Sequence, residues 1–291
     1  MDVSVIIVNY NTLELSKKCI SSIIEQTSGI EYEIILVDNS STDGSGEEFA
    51  RDSRIRFIQA GSNLGFGKAN NLGLQVAKGD FIFFLNSDTV LKDNVIYKLW
   101  DFTRFRFDIG GVGTLLLGPD GRRTHSFGFF MTPSQMIGLM GHNLLTHLTG
   151  RPLRTVERDC GIKVTTPRKV DYVTGADLFV ARRVLDRAGA FDPDFFLYSE
   201  ETEMQMRWHR AGYDNYVLPV EDIVHFEGAS SSGKNSVMKR KTVADSYLLY
   251  YRKTEPFMVY VIFAAAFFIV NLPLYFKYWI IKLTGKSSIF D

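Results

Sequence analysis

Hydrophobic runs and helix-like stretches alternate through the first 85 residues of the chain. Continuous apolar runs, typical of strands buried on both faces, occupy residues 3–8, 33–37, 55–58 and 81–85. Between the first two runs, apolar residues recur at helical spacing and predict one buried stripe: Leu15, Cys19, Ile20, Ile23 and Ile24. Asn11 with Glu14 three residues later resembles a capping box at the start of this helix. The alternation predicts a mainly parallel sheet with right-handed crossovers, which is an α/β fold.

The pattern changes between residues 118 and 168. Gly and Pro residues surround a weakly apolar helix predicted at 133–148, and a basic stretch follows it: Arg151, Arg154 and Arg158. Because surface loops on a rigid scaffold often carry specificity, we interpret this segment as an insertion over the sheet, on the substrate side. Strand-like pattern resumes at 170–180, and a helix is predicted from about residue 201 to 211, ended by Gly212.

The C-terminal region contains a long apolar segment. Residues 256–276 carry no charge, and Asn271 is their one strongly polar side chain. A bilayer core is crossed by roughly 20 apolar residues, and basic and aromatic residues flank the segment on both sides, as interface anchors do. A buried helix of a soluble protein is the alternative, although such helices are seldom apolar all round for so long. We expect a membrane-associated helix, or a hairpin turned at Asn271-Leu272-Pro273; whether it spans, re-enters or lies on the bilayer is open.

Composition adds a few limits. The chain has 291 residues, 45% of them hydrophobic, enough for a catalytic domain at 1–235 and a membrane-associated segment at 236–291. Its formal net charge is zero, so we expect no nucleic-acid partner. Cys19 and Cys160 make no metal or redox spacing. No basic region precedes the first apolar run after Met1, so the catalytic part is expected at the cytoplasmic face of the membrane.

Three short acidic stretches carry the candidate chemistry. Residues 37–43 and 85–88 each close an apolar run, and residues 198–201 begin the last helix of the predicted catalytic domain. In open α/β sheets, ligands bind outside the carboxyl ends of the strands. A carboxylate exposed there can contact a ribose, a base or a metal-bound phosphate. The sequence therefore indicates an enzyme that acts on a nucleotide-activated substrate.

Five motifs, in order along the chain, resemble family 2 glycosyltransferases of the GT-A fold. They are Asn9-Tyr10-Asn11, the stretch 37–43, Asn63-Leu64-Gly65-Phe66 with Asn70-Asn71, Leu85-Asn86-Ser87-Asp88, and the stretch 195–201. The set spans residues 3 to about 230 and most resembles the rhamnosyltransferase-like branch that decorates bacterial cell-surface polysaccharides. The resemblance implies a GT-A-like, mostly parallel sheet flanked by helices. It also implies a nucleotide-diphosphate sugar donor, a glycan or lipid-linked acceptor, and a single inverting displacement.

The resemblance assigns donor contacts to ten residues: Asn9, Tyr10, Asn11, Asp38, Asn39, Asn63, Gly65, Asn70, Asn86 and Ser87. Asp38 and Asn39 occupy the position that reads the nucleotide base. The Asn39 amide has both a donor and an acceptor for a pyrimidine's imide edge, although the family often has a second Asp there. The alternative is that Asp38 only caps a turn through an Asx bond.

The stretch Asn86-Ser87-Asp88 matches the family's Asp-x-Asp motif, with Asn86 replacing the first Asp. The resemblance implies that Asp88 and His225 hold a divalent cation, Mg²⁺ or Mn²⁺. One carboxylate is enough when diphosphate and water supply the other ligands, and imidazole suits Mn²⁺. The alternatives are an ordinary strand-end aspartate and an ordinary histidine.

Glu200, Glu201 and Glu203 crowd the start of the predicted helix. The resemblance makes Glu201 the general base, with Glu200 as the second candidate, although the family usually has Asp at the second position. Neighbouring like charges raise a carboxyl pKa, which is how a general base is tuned. The alternative is that all three complement the helix dipole, with Glu203 pairing Arg207.

One other functional class stays open, and another lacks the motif that it needs. Asn86 and the Glu200-Glu201 pair are compatible with a catalytically inactive relative that binds a nucleotide-sugar or glycan in a polysaccharide assembly complex. A nucleotidyltransferase on a similar sheet would need a basic Gly-rich phosphate loop after the first strand, and residues 9–11 are not one.

Overall fold

The protein is described by a computed structural model covering residues 1–149, 162–226 and 237–284, with side chains described for all of these except 143–149. The predicted basic stretch (Arg151, Arg154, Arg158) and Cys160 lie outside the described residues. The described chain forms two compact units. The first comprises residues 1–130, 162–196 and 200–226; the second comprises 131–149, 197–199 and 237–284. The domain boundary after residue 235 stays a prediction.

The first unit contains the described strands and six helices. The strands are β1 (Val3–Asn9), β2 (Tyr32–Asp38), β3 (Arg56–Gln59), β4 (Phe81–Asn86), β5 (Thr89–Leu91), β6 (Ile109–Gly113), β7 (Leu116–Leu117), β8 (Phe127–Gly128), β9 (Arg168–Val170), β10 (Tyr172–Val173), β11 (Asp177–Ala181), β12 (Asp214–Val217) and β13 (Ile223–His225). The helices are α1 (Leu13–Gln26), α2 (Ser45–Phe49), α3 (Phe66–Leu74), α4 (Val95–Thr103), α6 (Arg182–Ala188) and α7 (Glu200–Arg210). The second unit contains α5 (Pro133–Thr149), α8 (Val237–Thr254) and α9 (Phe257–Thr284).

The central sheet has eight strands in the order β3-β2-β1-β4-β11-β6-β12-β9. Strand β1 runs parallel to β2 and β4, β2 to β3, and β6 to β12, whereas β11 and β9 are antiparallel to their neighbours. The inner strands are buried on both faces, which is why they read as unbroken apolar runs. The predicted, mostly parallel α/β sheet is confirmed.

Strand register brings the carboxyl ends of the parallel strands together. Asn9 lies opposite Asp38 across β1 and β2, and Val8 lies opposite Asn86 across β1 and β4. A separate three-stranded sheet has the order β5-β13-β7. In it His225 pairs with Thr89, the residue after Asp88. These two sheets therefore position most of the predicted site residues.

Helix α1 begins differently from the prediction. Its first residue is Leu13, whose N–H donates to the Asp43 carboxylate at 2.9 Å. Asn11 has a left-handed backbone (φ 54°) and its side-chain oxygen accepts a hydrogen bond from the Thr42 N–H. The Asn11–Glu14 capping box is therefore wrong, because a carboxylate from the loop after β2 caps the helix instead. Ile24, predicted in the buried stripe, is exposed.

The second unit is helical in its described part. Helix α5 starts with a reciprocal capping box: the Thr132 N–H donates to Gln135 Oε1, and the Gln135 N–H donates to Thr132 Oγ1. Helix α9 runs unbroken through Pro273, so of the two alternatives the segment forms a helix and not a hairpin turned at Asn271-Leu272-Pro273. The Asn271 amide donates to the Phe267 carbonyl one turn back. Among the described helices, α9 alone is long and apolar enough to cross a membrane.

Candidate active site

Asn9 organises the carboxyl edge of the sheet. Its amide donates to Asp38 Oδ1 at 2.8 Å and to Ser41 Oγ at 3.0 Å. Its side-chain oxygen accepts from the hydroxyls of Thr12 and Ser16. The side chain is fully buried, and both hydrogens and both lone pairs of the amide are in use. Asn9 thus holds the loops after β1 and β2 in place.

Asp38 and Asn39 are also engaged within the protein. Asp38 Oδ2 accepts from the Ser41 N–H and from the Gln59 amide at 2.8 Å, the first of these being an Asx-type turn contact. The Asn39 amide donates to Asn63 Oδ1 and to the Gly65 carbonyl, and its oxygen accepts the Leu64 N–H. Both residues are buried. The Asn39 side chain therefore fixes the loop at 63–65, and direct base contact by Asn39 stays a prediction.

Gly65 lies where the loop at residues 63–65, which we call the donor loop, passes close to Phe196. Its backbone has φ 83° and ψ −179°, a region occupied almost only by glycine. A Cβ at this position would lie 2.1 Å from the Phe196 carbonyl oxygen. The next N–H, of Phe66, donates to that same oxygen at 2.9 Å. The backbone conformation and the close approach to Phe196 therefore require glycine at position 65, whether or not this residue also contacts the donor.

The other predicted donor-binding residues fall into two groups, one with exposed and one with buried side chains. Tyr10, Asn11 and Asn63 are exposed at the carboxyl edge. Ser87 is buried and hydrogen-bonds Thr12 Oγ1 at 2.9 Å. Asn70 is buried, and its amide donates to the Phe66 carbonyl within α3. Tyr10, Asn11 and Asn63 are thus the ones whose side chains reach solvent.

Asp88 and His225 lie together, as predicted for a metal pair. Asp88 Oδ1 is 3.2 Å from His225 Nε2, and both side chains are nearly buried. Asn86 Nδ2 lies 3.4 Å from the same nitrogen. The pairing of β13 with β5 builds this contact, and the Phe226 N–H donates to the Asp88 carbonyl.

The residues present fit a divalent cation that takes its remaining ligands from a bound diphosphate. A carboxylate and an imidazole, side by side, are the ligand types that Mn²⁺ accepts. Within the described residues, no group of three His, Cys, Asp or Glu side chains could hold a metal ion by itself. A phosphate ligand and water would therefore complete the coordination.

Asp177 was missed by the sequence reasoning. It begins β11 opposite Leu85, at the same edge of the sheet, and is fully buried. Its Oδ2 accepts from the Thr114 N–H and hydroxyl, whereas Oδ1 has no hydrogen-bond partner in the described chain. Burial raises the pKa of Asp177 to about 7, against the opposing effects of Thr114 and the nearby His225. A charged residue at the start of the run 178–180 was the available signal.

The three glutamates of α7 play different parts. Glu203 is buried and accepts from Arg207 Nε at 2.8 and 3.0 Å, the ion pair foreseen in the alternative interpretation. Arg207 also donates to the Ala188 and Ala190 carbonyls. Glu203 therefore orients Arg207, which ties α7 to the end of α6.

Glu200 and Glu201 form an interacting acidic pair at the start of α7. Burial, together with the charge of Glu201, raises the pKa of Glu200 well above its ordinary value. Burial also raises the pKa of Glu201, against stabilisation of its charge by backbone N–H groups and His125. Glu200 Oε2 is buried with no hydrogen-bond partner among the described residues. His125 is thus a second residue at this site that the sequence reasoning missed.

The sequence of the chain is similar to those of known glycosyltransferases. Residues 4–133 match the family model described as Glycosyl transferase family 2. Glycosyltransferase GlyG of Streptococcus pneumoniae is 38% identical over 34% of this chain, and the match spans 34% of that relative's own length. An N-acetylglucosaminyl-diphospho-decaprenol L-rhamnosyltransferase of Mycobacterium tuberculosis is 28% identical over 69% of this chain and 68% of the relative.

One solved structure shows the same fold. It is the mannosyltransferase PcManGT from Pyrobaculum calidifontis, in complex with GDP-Man and Mn²⁺. The TM-score is 0.56 at 16% identity, over 94% of this chain and 70% of that one. The chain therefore has a GT-A-like α/β fold, and its residues 4–133 are similar to glycosyl transferase family 2.

Proposed function

We propose that this protein transfers a sugar from a nucleotide-diphosphate donor to a hydroxyl of a cell-surface polysaccharide or lipid-linked glycan precursor, with inversion and with help from a divalent metal. The observation that carries this proposal is the Asp88–His225 pair at 3.2 Å. It stands at the edge of the sheet where ligands of open α/β folds bind. The similarity of residues 4–133 to family 2 and the Mn²⁺ in the mannosyltransferase complex support the same function.

The acceptor proton goes to the acidic pair of α7. Burial raises the pKa of both carboxyls, and the charge of Glu201 raises the pKa of Glu200 further, so Glu200 is the member of the pair that holds a proton more readily. As the acceptor oxygen attacks the anomeric carbon and the bond to the diphosphate breaks, Glu201 takes the hydroxyl proton. A positioned base of this kind is worth about 10²–10⁴-fold in rate. Glu200 acts as a positioning residue beside it.

Asp88 and His225 would hold the divalent cation, either Mg²⁺ or Mn²⁺, and Asn86 lies beside them. When bound, the cation neutralises charge on the leaving diphosphate. Asn9, Asp38 and Asn39 hold the loops over which the donor lies, and the exposed Tyr10, Asn11 and Asn63 are the side chains that contact it. Their intramolecular hydrogen bonds and exposure support this division.

The sugar and acceptor are proposed from the relatives. The mycobacterial relative is named for rhamnosyl transfer to a lipid-linked N-acetylglucosamine, which supports a deoxyhexose such as rhamnose and a lipid-linked acceptor. Such an acceptor lies in a membrane, and the apolar helix α9 supports membrane association at the cytoplasmic face. The segment 118–168 is proposed to face the acceptor.

The test compares Glu201→Gln with Glu200→Gln, using a panel of labelled nucleotide-sugars and a lipid-linked acceptor. Glutamine keeps size and hydrogen bonding but takes up no proton, so Glu201→Gln should lower kcat by about 10²–10⁴-fold. Donor affinity should be nearly unchanged, and the assay has to run at saturating acceptor so that altered binding does not enter.

Glu200→Gln is the matched control and should lose less activity. If Glu200→Gln is inactive while Glu201→Gln turns over normally, the base is Glu200. Donor binding without turnover in the wild-type protein would favour the non-catalytic binding function, which the substitution of Asn86 for an acid allows.

A further inference from the structure

Helix α9 has two faces of opposite accessibility. Phe263, Phe267 and Leu274 recur every four or seven residues and are buried within the second unit. The opposite face carries large apolar side chains at the same helical spacing, each 61% to 74% exposed: Met258, Ile262, Ile269, Leu272, Phe276 and Leu283. We call this set the exposed stripe. A stripe of this size on a soluble surface marks an interaction site.

Helix α8 runs antiparallel along the buried face of α9. The rings of Tyr251 and Phe263 are 4.2 Å apart near the turn between the helices. Further along, the Tyr275 hydroxyl donates to Asp245 Oδ1 at 3.1 Å. Lys241 Nζ lies 4.8 Å from the Tyr278 ring centre and also pairs with Asp245. Charged groups of α8 therefore accompany the last third of α9.

This pairing argues against a membrane-spanning helix. Tyr275, the partner of Asp245, lies within the uncharged segment 256–276. A bilayer-crossing α9 would therefore carry α8 with it and hold Asp245, halfway along α8, at the margin of the hydrocarbon, where charged side chains are unfavourable. A helix that lies in the interface avoids this, because its polar partner stays on the water side.

The net charge of helices α8 and α9 indicates what kind of surface they bind. Residues 237–284 contain seven basic and two acidic side chains: Lys239, Arg240, Lys241, Arg252, Lys253, Lys277 and Lys282 against Asp245 and Glu255. Basic groups beside an apolar helical face are attracted to anionic lipid head groups.

We infer that α9 lies parallel to the membrane plane, with the exposed stripe in the lipid of an anionic bilayer and α8 covering it from the water side. This rests on the proposed membrane association of the C-terminal segment and does not depend on sugar transfer. The protein is thus a monotopic one, held on a single face of the bilayer.

The geometry is tested by cysteine labelling of the full chain bound to vesicles of phosphatidylcholine and phosphatidylglycerol. Arg252 and Lys282 are both exposed and flank α9 at its two ends. Arg252→Cys and Lys282→Cys are each made in a Cys160→Ser background, with the buried Cys19 retained. After adding protein outside preformed vesicles, an impermeant maleimide should label both positions to the same extent. Protection of one position until the vesicles are opened by detergent would overturn the in-plane orientation.

The lipid contact is tested by vesicle flotation. The triple variant Ile262→Ser/Ile269→Ser/Phe276→Ser removes apolar surface without touching the packed face, and it should bind at least about tenfold more weakly. Met238→Ser, at an exposed apolar residue of α8, is the matched control and should bind like the wild type. Equal binding by the triple variant would refute lipid contact by the stripe. No wild-type binding, with dimers in solution, would show instead that a second copy covers it.

Discussion

Replacing Gly65 by Ala tests whether the donor loop depends on its close approach to Phe196. The new methyl would begin 2.1 Å from the Phe196 carbonyl oxygen, far inside van der Waals contact. The backbone at φ 83° and ψ −179° is unfavourable for alanine by about 1–3 kcal/mol. The loop must therefore move away or change conformation.

Movement of the loop breaks two further contacts. The Asn39 amide donates to the Gly65 carbonyl, and the Phe66 N–H donates to Phe196. Each hydrogen bond contributes about 0.5–1.5 kcal/mol, so the total loss is about 4 kcal/mol. For a chain of this size that corresponds to a fall in Tm of roughly 8–16 °C. Affinity for the nucleotide-sugar should fall as well, because Asn63 and Leu64 move with the loop.

Gly61→Ala is the matched control for thermal unfolding and donor titration. Gly61 also has positive φ, 75°, but no heavy atom lies within 4 Å of the position that an added methyl would take. It should lose only the backbone contribution of about 1–2 kcal/mol. Equal Tm shifts in the two variants would refute the close-approach argument and leave only the glycine preference of the backbone.

Three further predictions follow from the site. The pKa of Glu200 is raised in the folded protein, so the native state binds more protons than the unfolded state, and the stability of the wild type falls as pH rises from about 4.3 toward that pKa. Glutamine does not titrate, so the Tm of Glu200→Gln relative to that of the wild type should be higher at pH 7.5 than at pH 5. A Tm difference that stays constant with pH would contradict this. Asn9→Ala should destabilise the protein by about 2–4 kcal/mol in denaturant unfolding, since four hydrogen bonds are lost and Asp38 loses a buried partner. Asp88→Ala should abolish turnover and His225→Ala should weaken the dependence on metal with the fold intact; unchanged Mn²⁺ titration curves in both would remove the metal from this site.

The central sheet could be predicted because its strands bury both faces. Residues 3–8, 33–37 and 81–85 are unbroken apolar runs and form β1, β2 and β4, each with one extra residue at its carboxyl end and β2 with one more at its start. The end of helix α7 could be predicted as well, because Gly212, with φ 92°, follows it. These features depend on local sequence and on burial, and the pattern of apolar residues along the chain indicates both.

Long-range contacts could not be predicted. The cap of α1 comes from Asp43, thirty residues away, so the local Asn11–Glu14 pattern misled. Strands β5, β7 and β13 have only two or three residues each, too short to show a period, yet they bring His225 to Asp88. Resemblance to a family proposed that pair, but only the strand register places the two side chains together.

The internal hydrogen bonding of Asn9, Asp38 and Asn39 has a consequence for attempts to change donor preference. These buried polar atoms already have partners, so altering them would loosen the framework before it altered recognition. Among the solvent-facing side chains, Asn63 accepts a hydrogen bond from Asn39 and Asn11 accepts one from Thr42, so both belong to the framework, whereas Tyr10 is exposed beside it. Libraries that vary Tyr10 and keep the framework fixed are thus the direct route to an enzyme that accepts a different nucleotide-sugar.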